Sequence, residues 1–187
     1  MEIFRYPTKH KLTNKPWPEY DYQPDVNFEI YYTDTAIRLK FTVIEETIRA
    51  VNNTPNSPVW QDSCVEMFIS FGKGYYNFEM NPIGAILAAY GPDRDHREFL
   101  PVEKIRGITT FSTIAYGNPV QWSIDLTIPV STFIHNESLI LKGAKAKANF
   151  FKCGDLLPKP HFLSWAPINA PTPDFHLPQF FDDVIFS

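Results

Sequence analysis

Between Val120 and Pro129 the chain alternates without a break. Val120, Trp122, Ile124, Leu126 and Ile128 are apolar, and Gln121, Ser123, Asp125 and Thr127 stand between them. A period of two fits an extended strand with one face on a core and the other towards solvent. It assigns Trp122 to the core and not to a ligand site. The same alternation in Ile37, Leu39, Phe41 and Val43, against Arg38, Lys40 and Thr42, predicts a second half-buried strand. Phe28–Tyr32 and the turn Thr33-Asp34-Thr35 precede it, so the two strands form a hairpin. Further strands are predicted after Cys64 and Tyr76, over 83–90, 108–116, 147–153 and 161–165. Residues 180–186 are expected to form a closing edge strand, and 130–134 one helical turn after Pro129.

Many short strands, 16% aromatic residues and 17 prolines in 187 residues fit this picture. Aromatic and β-branched residues favour strands, and prolines cut a chain into short elements with rigid loops. The expected fold is all-β: a single-domain antiparallel β-sandwich, immunoglobulin-like or jelly-roll-like. Residues 1–26, punctuated by Pro7, Pro16, Pro18 and Pro24, read as an extended arm, and 27–187 as the sandwich.

A net charge of −4 without a basic stripe argues against a nucleic-acid partner. The densest basic run, Lys142 to Lys147, reads as a solvated loop or strand edge. No apolar run approaches the ~20 residues that span a bilayer. The first residues, Met1 to Pro7, lack the apolar stretch of a signal peptide. That leaves an extracellular or periplasmic location if an export signal was trimmed, and a cytoplasmic one otherwise. Cys64 and Cys153 form no C-x-x-C motif. They are either two buried free thiols or, if their strands are neighbours, one bridge.

Two residue groups carry the candidate chemistry. In the hairpin around Gly72-Lys73-Gly74, matching the apolar faces fixes the register by parity, because a one-residue slip would invert every side chain. A two- or four-residue loop then sets Glu66 opposite Glu79, Met67 opposite Phe78 and Cys64 opposite Asn81. Glu66, Asn77, Glu79 and Asn81 share its polar face. The second group is a pair of tryptophans, Trp60 and Trp165, each at an element edge beside prolines and polar residues. A ring held at an edge offers a flat apolar face to a ligand. The competing reading makes both rings rim packing of a β-domain.

Several segments in order resemble carbohydrate-binding family 9, within the wider DOMON-like β-sandwich group. They are Ser57-Pro58-Val59-Trp60-Gln61-Asp62-Ser63-Cys64-Val65-Glu66-Met67-Phe68, Tyr76 to Asn81, Trp122 to Pro129, Ala148 to Cys153, Leu163 to Pro167 and Phe175 to Phe180. The resemblance implies a non-catalytic module in which two tryptophans clamp a terminal sugar. By position these are Trp60 and Trp165, with Glu66 and Asn149 on the sugar hydroxyls. Glu79 and Asn81 are further hydroxyl partners, and Asp62 orders its loop or touches ligand. The chain departs from the family pattern where some members carry a basic residue, since Glu79 stands there, opposite Glu66. The ligand implied is a mono- or oligosaccharide, with an associated glycoside hydrolase as a protein partner in polysaccharide utilisation. No cofactor is expected, apart from the structural calcium that some members bind. Two other readings stand beside this one. In one, Glu66 and Glu79 act as a glycosidase pair. In the other, the sandwich is degenerate and serves protein–protein contacts.

Overall fold

The computed structural model describes residues 1–187. It contains thirteen strands in chain order. They are β1 (Glu2–Ile3), β2 (Thr8–Lys11), β3 (Asp25–Tyr32), β4 (Ala36–Glu45), β5 (Cys64–Ser70), β6 (Tyr75–Met80), β7 (Ile86–Gly91), β8 (Glu98–Phe99), β9 (Thr109–Ala115), β10 (Val120–Pro129), β11 (Lys145–Cys153), β12 (Phe162–Ser164) and β13 (Asp182–Phe186). One α-helix, α1 (Val102–Arg106), follows Pro101. No helix is long and apolar enough to cross a membrane.

The strands form two sheets of a sandwich. A five-stranded sheet runs β2-β3-β4-β10-β9, and an eight-stranded sheet runs β1-β13-β11-β5-β6-β7-β8, with β12 also on β11. The strands β3 and β4 form the expected hairpin, and β10 lies antiparallel to β4 on its other side, with Trp122 opposite Val43 and Ile124 opposite Phe41. In the hairpin of β5 and β6, Glu66 lies opposite Glu79 and Met67 opposite Phe78, across a four-residue connection, 71–74. The main core fills the space between the sheets, where Phe28, Phe41, Phe78, Trp122 and Phe150 are all buried. Trp122 takes its core place and donates Nε1–H to Glu45 Oε1 at 2.6 Å.

Three features differ from the sequence reading. The strand over 182–186 is not an edge, because β1 pairs with it in parallel on its far side. The N-terminal segment is bound into both sheets, with β1 in the large sheet and β2 on β3 in the small one. The short helix α1 had no period to announce it: at five residues it is barely one turn, and only Ile105 is buried.

β11 is the strand at which the large sheet branches. One edge pairs along its length with β5. The other edge is shared, with β13 covering Lys145–Ala148 and β12 covering Phe151–Cys153. Asn149 and Phe150 lie at the gap. The Asn149 amide bridges it. Its Oδ1 accepts from the backbone N–H of Phe150 and of Ala166, both at 2.9 Å. Its Nδ2 donates to the carbonyls of Ala166 (3.2 Å) and Phe180 (3.4 Å).

Candidate functional site

The outer face of the large sheet is covered rather than solvated. Loops lay a second apolar cluster over it, including Trp17, Val59, Phe68, Phe151, Phe175 and Phe181, all buried. Residues that read as the polar side of a hairpin are therefore enclosed: Glu66 and Glu79 are each only 3% exposed. Beside this cluster lies a cavity of about 290 Å³. Ligand sites commonly run from roughly 300 to 1,000 Å³, so its size suits one small ring.

Its floor is strand surface. Glu66 and Glu79 face each other across β5 and β6, Leu87 continues the row on β7, and Cys153 of β11 lies beside Glu66. Its walls are loops. Trp60 sits in a 3-10 turn, Val59–Gln61, between Pro58 and Asp62. Val59 is buried and anchors the turn, which leaves Trp60 39% exposed at the cavity mouth. The opposite rim carries Phe99, 62% exposed on the edge strand β8. Phe162, Asp174, Phe175 and His176 close the remaining side.

The loop over 91–98 delivers the two arginines. Arg94 and Arg97 both line the cavity, and Arg97 Nε donates to the Arg94 carbonyl at 3.0 Å. Gly91 makes this approach possible. A Cβ at that position would lie 2.4 Å from the His96 carbonyl oxygen and 2.7 Å from Arg97 Cα. The basic groups thus come from a loop over the sheet, not from the strand position that Glu79 occupies.

The electrostatics are those of a closed site. Burial pushes Glu66 well above the usual carboxylate range, and the facing Glu79 pushes it further. Burial likewise lifts Glu79 to about 7, although Arg97 and an Asn77 hydrogen bond oppose the rise. Asp155 is lifted to about 6, mainly by burial. His176 is held down at about 3 by burial and by Arg97 and Arg94, so its ring is neutral. One Glu79 oxygen accepts from Asn77 Nδ2 at 2.9 Å. The other, Oε2, has no hydrogen-bond partner, nor has Arg97 Nη1, which stands 3.9 Å from Glu79 Oε1. Buried polar groups in proteins are almost always paired, so two orphans in one cavity leave hydrogen-bonding capacity for water or a polar ligand. A larger hollow of about 780 Å³ over Ile134–Ile140 has no such orphan among its lining residues.

Of the residues expected at the site, Trp60, Glu66 and Glu79 line this cavity, and the other four do not. Trp165 lies opposite Phe150, whose carbonyl its N–H reaches at 2.9 Å. It shares parity with Leu163 and packs edge-on against Phe150, at 5.8 Å between ring centroids, and near His10. The cavity therefore holds one of the two tryptophans. Asn149 spends its amide on the β11 gap. Asn81, fully buried, donates to the Asn52 carbonyl (2.7 Å) and to Asp62 Oδ2 (2.9 Å) and accepts from Ala85 N–H (3.0 Å). Asp62 orders its loop: its carboxylate pairs with Arg49 and accepts from the backbone N–H of Val51 (3.1 Å) and Asn52 (3.0 Å). Among the lining residues that sequence reasoning missed are Phe99, Asp155, Phe162 and His176. All but Phe162 stand in loops or on a two-residue edge strand, where no periodicity marks them.

A sequence model of carbohydrate-binding family 9 matches residues 6–186. The chain belongs to carbohydrate-binding family 9. The family consists of non-catalytic carbohydrate-binding modules, so the facing glutamates are not a hydrolase pair. Among solved structures, the chain is similar to a candidate carbohydrate-binding protein from Bacteroides uniformis. The two are 37% identical with a TM-score of 0.90, over 97% of this chain and 87% of that one. It also shares its fold with a family 9 module from Caldicellulosiruptor kristjanssonii, solved with glucose and with cellotriose. Identity there is 11%, with TM-scores of 0.61 and 0.60, over all of this chain and 96% and 93% of those. No curated protein matches the chain.

Proposed function

We propose that this family 9 module holds a terminal sugar residue in the cavity beneath Trp60. The observation that carries the reading is the pair of orphaned buried groups, Glu79 Oε2 and Arg97 Nη1, beside an exposed tryptophan ring. The ring covers the apolar C–H face of a pyranose, and Phe99 offers a second apolar surface across the mouth. Arg97 donates to hydroxyl oxygens. Glu79 accepts from hydroxyls when ionised, and charge strengthens such bonds. Glu66, held protonated by burial and its neighbour, can donate as well as accept. A site with one donor-acceptor acid, one acceptor and one arginine fits a neutral sugar with hydroxyls on adjacent carbons. In that role the module holds an oligosaccharide end for an associated glycoside hydrolase.

The glucose and cellotriose of the C. kristjanssonii module support sugar as the ligand class. The test is a tryptophan fluorescence titration against mono- and oligosaccharides, with and without calcium. A saturable change for one sugar class, with Kd of roughly micromolar to millimolar, lost in Trp60→Ala, supports the reading. Titrations that are flat across the panel overturn it in favour of a sandwich used for protein contacts.

A further inference from the structure

We infer that Cys64, Cys153 and Glu66 form a site for a thiophilic divalent cation such as zinc, at the floor of the cavity. The antiparallel register of β5 and β11 sets Cys64 directly opposite Cys153. Both thiols are free, and both are buried. The two sulfurs and one Glu66 carboxylate oxygen all lie within 4.8 Å of one another. Zinc takes sulfur at about 2.3 Å and carboxylate oxygen at about 2.0–2.2 Å in a tetrahedron, so its ligand atoms stand roughly 3.5–3.8 Å apart. Small side-chain rotations close the difference, and the two strands hold the ligands on a rigid base.

The surroundings suit an ion. Cys153 Sγ donates its proton to Glu66 Oε1 at 3.1 Å, and a metal would replace that proton as the bridge between them. Cys153 and Glu66 line the cavity, which gives the ion a route in and leaves the fourth position towards solvent or ligand. Three such open-sided protein ligands are the pattern of zinc sites that keep an exchangeable position. Binding balances as one dication taken up against two thiol protons released, and a third from Glu66 where it is protonated. The resulting charge of −1 on the metal and its three ligands faces Arg97 across the cavity, while Lys152, next in the chain to Cys153, is already paired with Glu45 at 3.1 Å. Thiolates are soft ligands, so the set selects zinc or cadmium over calcium, which takes oxygen alone.

The site shares Glu66 with the proposed sugar site, where a bound ion would hold that carboxyl ionised, and its test contains no sugar. The full-length chain, reduced and then freed of reductant without air, is titrated with cadmium as an ultraviolet probe. The expected result is a sulfur-to-cadmium charge-transfer band that saturates at one ion per chain and is displaced by zinc. Cys153→Ser abolishes the band, and Glu66→Gln weakens binding by about tenfold or more, since even an outer-shell partner is worth about that much. A wild-type chain with no band overturns the site, whatever the variants do. So does a band that persists in a folded Cys153→Ser. A lost sugar response with an intact cadmium band would count against the sugar reading alone.

Discussion

The outer faces of the two sheets were built from similar-looking alternation but met different surroundings. On β9 every second residue of the five-stranded sheet is exposed, and on β10 the polar positions remain open or half-open. Phe111 stands 70% exposed there. On β5 and β6 of the large sheet nearly every residue of both faces is buried. The difference lies in what crosses each face. The small sheet's outer side is left bare, whereas the segments around Trp17, Val59 and 168–181 cover the large one. A bare face asks only for polarity. A covered face needs a second core, and where that core is incomplete it leaves an enclosed space in which polar groups acquire unusual pKa values.

Phe150 and Phe151 put the comparison to its strongest test. They are neighbours on β11, both fully buried, one in the main core and one in the second. Each truncation to alanine should cost about 3–5 kcal/mol in denaturant unfolding, as for other buried aromatics. A small loss for Phe151→Ala alone would mean that the outer cluster is a loose cover. Next in size, Trp60→Ala should weaken sugar binding by about tenfold or more, since one stacking face is worth roughly a kcal/mol beyond its buried area. Its thermal midpoint should stay close to that of the parent, because the ring is part-exposed at a rim. A collapse of stability would make Trp60 a packing residue.

The pH dependence sharpens the same contrast. Glu79 titrates at about 7 in the folded chain against an ordinary 4.5, so the folded state holds its proton more tightly than the unfolded one. Its contribution to stability is therefore greatest below pH 4.5 and is lost as the pH rises through 7. His176 and His161, both held near 3 by burial, act in the opposite sense and lose stability as the pH falls below 6.5. The readout is thus a difference: Glu79→Gln should gain on the parent as the pH rises from 4.5 to 7 and keep that gain at pH 8. A constant offset across the range would place the Glu79 carboxylate in solvent. Smallest of all, Phe111→Ala on the bare face should change stability by no more than about 0.5 kcal/mol in thermal melts.

Legibility followed the same divide. Trp122, Ile124 and Leu126 declared their strand because a solvated face forces alternation. The facing of Glu66 and Glu79 was also readable, since hairpin parity fixes it. What parity could not say was that their face would be covered, because 155–181 carries little periodic signal. Trp165 shows how the local view misleads. A tryptophan between Ser164 and Ala166-Pro167 looks like a rim ligand, but two positions from Leu163 and just past β12 it packs part-buried against the main core. Asn149 is expected on a sugar hydroxyl from the resemblance alone, and its amide is claimed by the backbone. A buried gap in a strand edge must be satisfied before any ligand is.

The gap at Asn149 also bears on how such a module changes over generations. One side chain holds both Ala166 and Phe180, the two ends of the stretch that supplies Pro173, Asp174, Phe175 and His176 to the cavity. With its ends fastened to β11, that stretch has room to change only between its anchors, because Ile168 and Phe175 within it are buried in the second core.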